Sequence, residues 1–161
     1  MGLDVTAYSK LVFVTSDTTE GLALLDENEW HTYVHLYPAP GFEARFDGQP
    51  AGYYRVEGEL FHFWTPYSSY YRWRAWLSEQ AQHQAPAATW TSRAPCQGQP
   101  FYELVHFSDC EGTLGPATSK KLADDFQQWA EALASGDSSG LYQRFQKAFA
   151  LASRGGVVVF D

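Results

Sequence analysis

The chain predicts an α+β fold, and three observations carry that prediction. Strand-like stretches, rich in β-branched and aromatic residues, crowd the first half. Three stretches in the second half repeat their apolar residues with a helical period. Strands come first and helices later, which is unlike the alternating βα units of a doubly wound sheet. The expectation is an antiparallel sheet built mainly from the N-terminal half and one central strand over 101–107. Three helices, at about 67–83, 116–134 and 139–153, would pack on it. A length of 161 residues suits a single domain over 1–161.

The elements follow in order. Ala7 to Val14 has strand composition. Residues 16–28 begin polar and predict a loop. Trp30 to Tyr37 alternates, with His31, Tyr33, His35 and Tyr37 on one face and Thr32, Val34 and Leu36 on the other. Breaks follow at Pro38-Ala39-Pro40-Gly41 and Asp47-Gly48-Gln49-Pro50. Tyr53–Glu57 and Leu60–Trp64 are two short strands around Gly58, joined by a hairpin loop or continuous through a bulge. Thr65-Pro66 reads as an N-cap followed by proline at the first helical position. The first helix then shows Tyr70, Trp73, Leu77 and Ala81 on one face and ends near His83. Residues 84–100 hold three prolines and no period, which predicts a loop.

Phe101–Phe107 is apolar on both faces except for Glu103 and His106, which predicts a central strand. Leu122, Phe126, Trp129 and Leu133 mark the second helix. Leu141, Phe145, Ala148, Phe149 and Ala152 mark the third, closed by Gly155-Gly156. Val157–Phe160 adds a terminal strand.

Composition excludes several function classes. There are 11 basic residues against 19 acidic, a net charge of −8. A binder of double-stranded nucleic acid needs a cationic footprint to displace counterions, so that class is set aside. No apolar run approaches the roughly 18 residues that span a bilayer, and no signal peptide opens the chain, so no membrane role and a cytoplasmic location are expected. Met1-Gly2-Leu3-Asp4-Val5-Thr6 satisfies the loose myristoylation pattern, but no basic patch or neighbouring cysteine supports it. The two cysteines, Cys96 and Cys110, are expected to be reduced thiols. Aromatics make up 17% of the chain, and Tyr and Trp bring a polar tip that suits ligand walls and interfaces.

Two segments hold the candidate chemistry. Phe107-Ser108-Asp109-Cys110-Glu111-Gly112-Thr113-Leu114-Gly115-Pro116 runs across a glycine-bearing loop into a helix start. Free backbone N–H groups there attract anions. The bland alternative is that Asp109 and Glu111 cap their own helix. Tyr67-Ser68-Ser69-Tyr70-Tyr71-Arg72-Trp73-Arg74-Ala75-Trp76 interleaves rings with guanidinium groups, which can stack a base and pair a phosphate. Tyr70 and Trp73 also fit plain core packing, while Arg72 and Trp76 form an i, i+4 pair on a different face. The expected ligand-binding set is Tyr53, Arg55, Tyr67, Ser68, Tyr70, Trp73, Arg74, Ser108, Asp109, Glu111, Gly112 and Gly115.

Metal and covalent chemistry have weaker support. His31 and His35 would lie about 13 Å apart on a strand, too far to share a metal. Carboxylates beside Cys110 disfavour its thiolate, and no third group orients His106 as its base. No catalytic residue, cofactor or metal is assigned from the sequence, which contains none of the familiar nucleophile-elbow, zinc-protease, phosphate-loop or paired CxxC motifs.

The opening MGLDVTAYSKL (1–11), Tyr53-Tyr54-Arg55-Val56-Glu57-Gly58 and the 107–116 loop resemble a family of small bacteriophage and prophage proteins to which no reaction is assigned. That family's pattern runs MGLDITAYSKL, YYRxEG, GSYSGYNxWR, FSDCEGxIGP and SAKLAxDF, then a Gly-Gly tail before a short apolar stretch. The likeness extends from end to end. Around 66–71 the chain departs, at Pro66, Ser69 and Tyr71 among others, and loses the pattern's two glycines and its asparagine. The resemblance implies an accessory protein of an infected cell, acting in the host cytoplasm. The leading expectation is a module that binds a small anionic, nucleotide-like ligand and sequesters a host defence signal. The alternatives are a protein that blocks a host defence factor through an aromatic patch, and an enzyme that degrades a nucleotide signal with Asp109 or Glu111 as base and His106 or His62 assisting.

Overall fold

A computed structural model describes residues 1–82 and 99–161. Most of the loop expected over 84–100, the first helix's end near His83, and Cys96 lie outside the described residues.

Among the described residues, seven strands form two sheets rather than one. They are β1 (Gly2–Tyr8), β2 (Leu11–Ser16), β3 (Tyr33–Leu36), β4 (Gly52–Val56), β5 (Leu60–Pro66), β6 (Gly112–Leu114) and β7 (Val157–Phe160). The first sheet has the order β5-β1-β7-β6 and the second β2-β4-β3, with every pairing antiparallel. Five helices accompany them among the described residues: α1 (Thr19–Leu22), α2 (Tyr67–Gln80), α3 (Tyr102–Val105), α4 (Pro116–Leu133) and α5 (Leu141–Ala152).

The two sheets share a corner. Strand β1 pairs with β5 and β2 with β4, in nearly one register. Both ribbons change sheet at the same height. Ser9 N–H donates to Glu59 C=O (2.9 Å), Glu57 N–H to Lys10 C=O (3.1 Å), and Glu59 N–H to Ser9 Oγ (2.8 Å). Gly58 therefore marks neither a hairpin nor a simple bulge. Strands β4 and β5 pair with β2 and β1, not with each other. The strand expected over 7–14 is likewise two strands broken at Ser9-Lys10, because its halves serve different sheets.

Burial alternates along β1, so Leu3, Val5 and Ala7 face the helices. They join Phe63, Val158, Phe160 and the apolar stripes of α2, α4 and α5 in one large core. A second, smaller core of Leu36, Phe46, Tyr54, Val157 and Val159 lies between the sheets. Strand β7 divides its side chains between the two cores and is buried throughout. It holds the central position expected of 101–107.

Residues 101–107 are not a strand. Phe101 takes a left-handed backbone (φ 60°), and Val105 N–H and His106 N–H donate to Phe101 C=O and Tyr102 C=O at 2.9 Å, closing one helical turn. A run apolar on all sides fits a buried helical turn as well as a buried strand. Long-range contacts make the choice. Phe101 N–H donates to Asp125 Oδ2 (2.9 Å), and Lys121 Nζ reaches Glu103 (2.6 Å), Asp125 (2.7 Å) and Gln99 C=O (2.6 Å).

Smaller corrections have local causes. The strand expected from Trp30 begins only at Tyr33, because Glu27–Thr32 forms a 3-10 turn capped by Asp26 Oδ1 on Asn28 N–H (2.9 Å). The loop expected over 16–28 contains α1, capped by Thr18 Oγ1 on Gly21 N–H (3.0 Å). Thr65 and Pro66 belong to β5, and α2 starts at Tyr67 with no side-chain cap. The predicted helices at 116–134 and 139–153 are present as α4 and α5.

Candidate functional site

Helix α2 brings its ring-and-guanidinium segment to the end of α3, where the loop 107–111 begins. Arg74 is completely buried. Its Nη1 donates to Phe107 C=O (2.9 Å), its Nη2 lies 3.9 Å from Asp109 Oδ2, and its guanidinium sits 5.1 Å from the Tyr70 ring centre. Burial, helped by Asp109 and opposed by Arg74, pushes the Tyr70 phenol up to about 12. The two segments thus meet as expected, but Arg74 occupies the junction.

Tyr70 and Trp73 are core residues. Trp73 stacks on Phe145 with centres 4.8 Å apart and planes 10° apart, and Tyr70 packs on both. Tyr67 packs at the edge of the same core, and Ser68 is exposed. Across the junction, Ser108 Oγ accepts from Glu111 N–H (3.1 Å) and Cys110 N–H (3.4 Å), which shapes the loop. Glu111 and Cys110 are exposed, and Cys110 carries a free thiol.

The start of α4 is already filled. Asp47, 71 residues earlier, accepts from Thr118 N–H (2.8 Å) and Thr118 Oγ1–H (3.0 Å). Neither an external anion nor Asp109 and Glu111 supply this cap. Gly115 is explained by the same contact, because a Cβ there would come within 2.6 Å of Asp47 Oδ2 and Phe46 C=O. Gly112 has φ +113°, and its Cβ would meet Ala39 at 2.4 Å. Both glycines therefore serve chain packing. Asp47→Ala is expected to cost about 1–2 kcal/mol of stability, the usual value of an N-cap, measured as a lowered urea midpoint. An unchanged midpoint would place the cap elsewhere.

Tyr53 and Arg55 do not join this junction. They lie on the outer face of the second sheet, where Tyr53 stacks on His35 (4.7 Å) and Arg55 pairs with Glu57 (2.9 Å). The helices cover the opposite face of the first sheet, so both sheets intervene.

An open cavity does lie beside α2, one face round from the expected wall. It measures about 330 Å³ and is lined by Ser69, Arg72, Trp73 and Trp76 of α2, with residues 136–139 between α4 and α5 opposite. Asp137, on its rim, is engaged: its carboxylate accepts from Ser139 N–H, Ser139 Oγ–H and Tyr142 N–H, capping α5. Arg72 forms no ion pair with a described residue. The signal for this cavity was the i, i+4 spacing of Arg72 and Trp76, and nothing in the sequence pointed to the 136–139 turn as its other side.

Among the described residues, no group of three or more His, Cys, Asp or Glu side chains is arranged to hold a metal. His35 pairs with Asp17 (3.1 Å), His62 with Asp4 (2.8 Å), and His106 is buried against Tyr102 (4.4 Å). No described helix is long and apolar enough to cross a membrane. The fold and cavity define an α+β protein with helices on one side of a four-stranded sheet and a three-stranded sheet on the other. Comparison with family models, curated proteins and solved structures gives no match.

Proposed function

We propose that the protein is a binding module for a small anionic, nucleotide-like ligand, serving to sequester a host defence signal as its resemblance to phage accessory proteins implies. The observation that carries this reading is the cavity beside α2. The partly exposed Trp76 indole, the Arg72 guanidinium and the serines at 69, 138 and 139 meet there, with the buried Trp73 behind them. Flat aromatic surface takes a base, and an exposed guanidinium such as that of Arg72 takes a phosphate. A volume near the lower end of small-molecule pockets, about 300 Å³, favours a mononucleotide over a dinucleotide. On a chain of net charge −8 the attraction must stay local, which fits one arginine beside a carboxylate that is already engaged.

A thermal-shift panel of linear and cyclic mononucleotides tests the reading. At least one is expected to stabilise the protein, and Arg72→Ala is expected to weaken its binding roughly 10-fold or more, the value of a charge-assisted hydrogen bond. The same substitution should leave the ligand-free midpoint nearly unchanged, because Arg72 is exposed. Absence of stabilisation by every nucleotide, or full binding in the variant, would remove the proposal. Recovery of the ligand unaltered after incubation would separate sequestration from turnover.

A further inference from the structure

The outer face of the second sheet carries an aromatic cluster that the cavity beside α2 does not use. Opposed pairs Tyr33–Arg55 and His35–Tyr53 lie on this face, while Val34, Tyr54 and Leu36 turn inward to the second core. Trp30, within the 3-10 turn, is 46% exposed. Its ring stands nearly perpendicular to two others: 86° to Tyr33 at 6.4 Å and 77° to Tyr53 at 6.1 Å. His35 stacks on Tyr53 and supports it, and Asp17 holds His35 (3.1 Å).

The surrounding charge is negative. Glu27 and Glu29 belong to the turn that carries Trp30, and Asp26 caps it. The nearby cations, Arg55 and Lys10, both pair with Glu57, at 2.9 and 3.4 Å. Glu57, and more distantly Glu29, hold the Arg55 guanidinium above its ordinary value.

We propose that Trp30, Tyr33 and Tyr53 form an open aromatic corner that binds a methylated ammonium group. Ring faces attract a cation through their quadrupole, and rings set at right angles present two faces to one charge. The acidic rim favours a cation over a neutral or anionic guest. The Asp17 and Glu57 carboxylates beside the rings are engaged, and a quaternary ammonium, which needs no hydrogen-bond acceptor, suits such walls, while the exposed Glu27 and Glu29 carboxylates of the turn attract it from the rim. This site is independent of the anionic pocket, since the sheets separate the two.

Choline chloride, titrated while the tryptophan indole N–H resonances are followed by NMR, tests the corner. The Trp30 resonance is expected to shift saturably in the millimolar range. The neutral isostere 3,3-dimethylbutan-1-ol should bind roughly 5-fold more weakly or worse, because only the charge differs. Trp30→Ala should lose about 10-fold or more of choline affinity, with Glu29→Gln giving a smaller loss. A saturable Trp30 shift with discrimination against the alcohol supports the corner. No saturable shift, equal affinity for the alcohol, or unchanged affinity in Trp30→Ala overturns it. The isostere comparison uses the wild-type protein, so it holds even if a variant fails to fold.

Discussion

Phe145→Ala is expected to cost about 4 kcal/mol, because it removes a fully buried ring that other rings surround. Trp73 lies flat against Phe145 (4.8 Å), Phe63 meets it edge-on (5.0 Å), and Tyr70, Phe149 and Phe160 complete the shell at 5.7–6.2 Å. These partners come from α2, β5, α5 and β7, so the void would open where the helical layer meets the first sheet. Rigid rings cannot collapse readily into a vacated volume, and the cavity contribution adds to the lost transfer free energy. For a chain of this size the melting temperature should fall by on the order of 10 °C. Phe145→Leu should recover more than half of the loss. A drop of about 1 kcal/mol for the alanine variant would mean that the stack is not the centre of the core.

Arg74→Ala is expected to cost about 3 kcal/mol, which separates a structural arginine from a ligand-binding one. The guanidinium is completely buried, donates to the Phe107 carbonyl and lies over Tyr70. Removing it deletes that hydrogen bond and leaves a long, narrow void between α2 and α3. Asp109 is half-exposed at 3.9 Å, so Asp109→Asn should change stability by less than about 1 kcal/mol. Arg74→Met should lie between, since it restores packing without the donor. Urea midpoints for the three variants test the ranking. Near-wild-type stability for Arg74→Ala would contradict the structural role and return this residue to the list of ligand contacts.

Arg74 also shows why a site is harder to read than a fold. Rings and guanidinium groups at 67–76 suit a ligand wall and a packed interior equally, because both reward large flat surfaces with a polar tip. The helical period separated Tyr70 and Trp73 from Arg72 and Trp76 and gave their inward direction correctly. Arg74 had no such signal: a charged residue is rarely buried without partners, and one of its partners is a carbonyl 33 residues away. Gly115 and Pro116 mark the anion-attracting start of α4 in the sequence, yet Asp47 fills it, binding Thr118 from 71 residues away.

Residue order alone makes legible the features governed by near neighbours. Leu122, Phe126 and Leu133 on α4, Phe145, Ala148 and Phe149 on α5, and Leu77 on α2 are buried as their spacing requires, because helix geometry alone brings residues three and four apart to one face. The tertiary structure alone decided the rest: that 101–107 coils under the pull of Asp125 and Lys121, that two ribbons bend together at Ser9 and Gly58 to make two sheets, and that Val157–Phe160 lies between them. Each of these depends on which distant groups satisfy a buried backbone or fill a shared core, and local propensity carries no record of a partner tens of residues away.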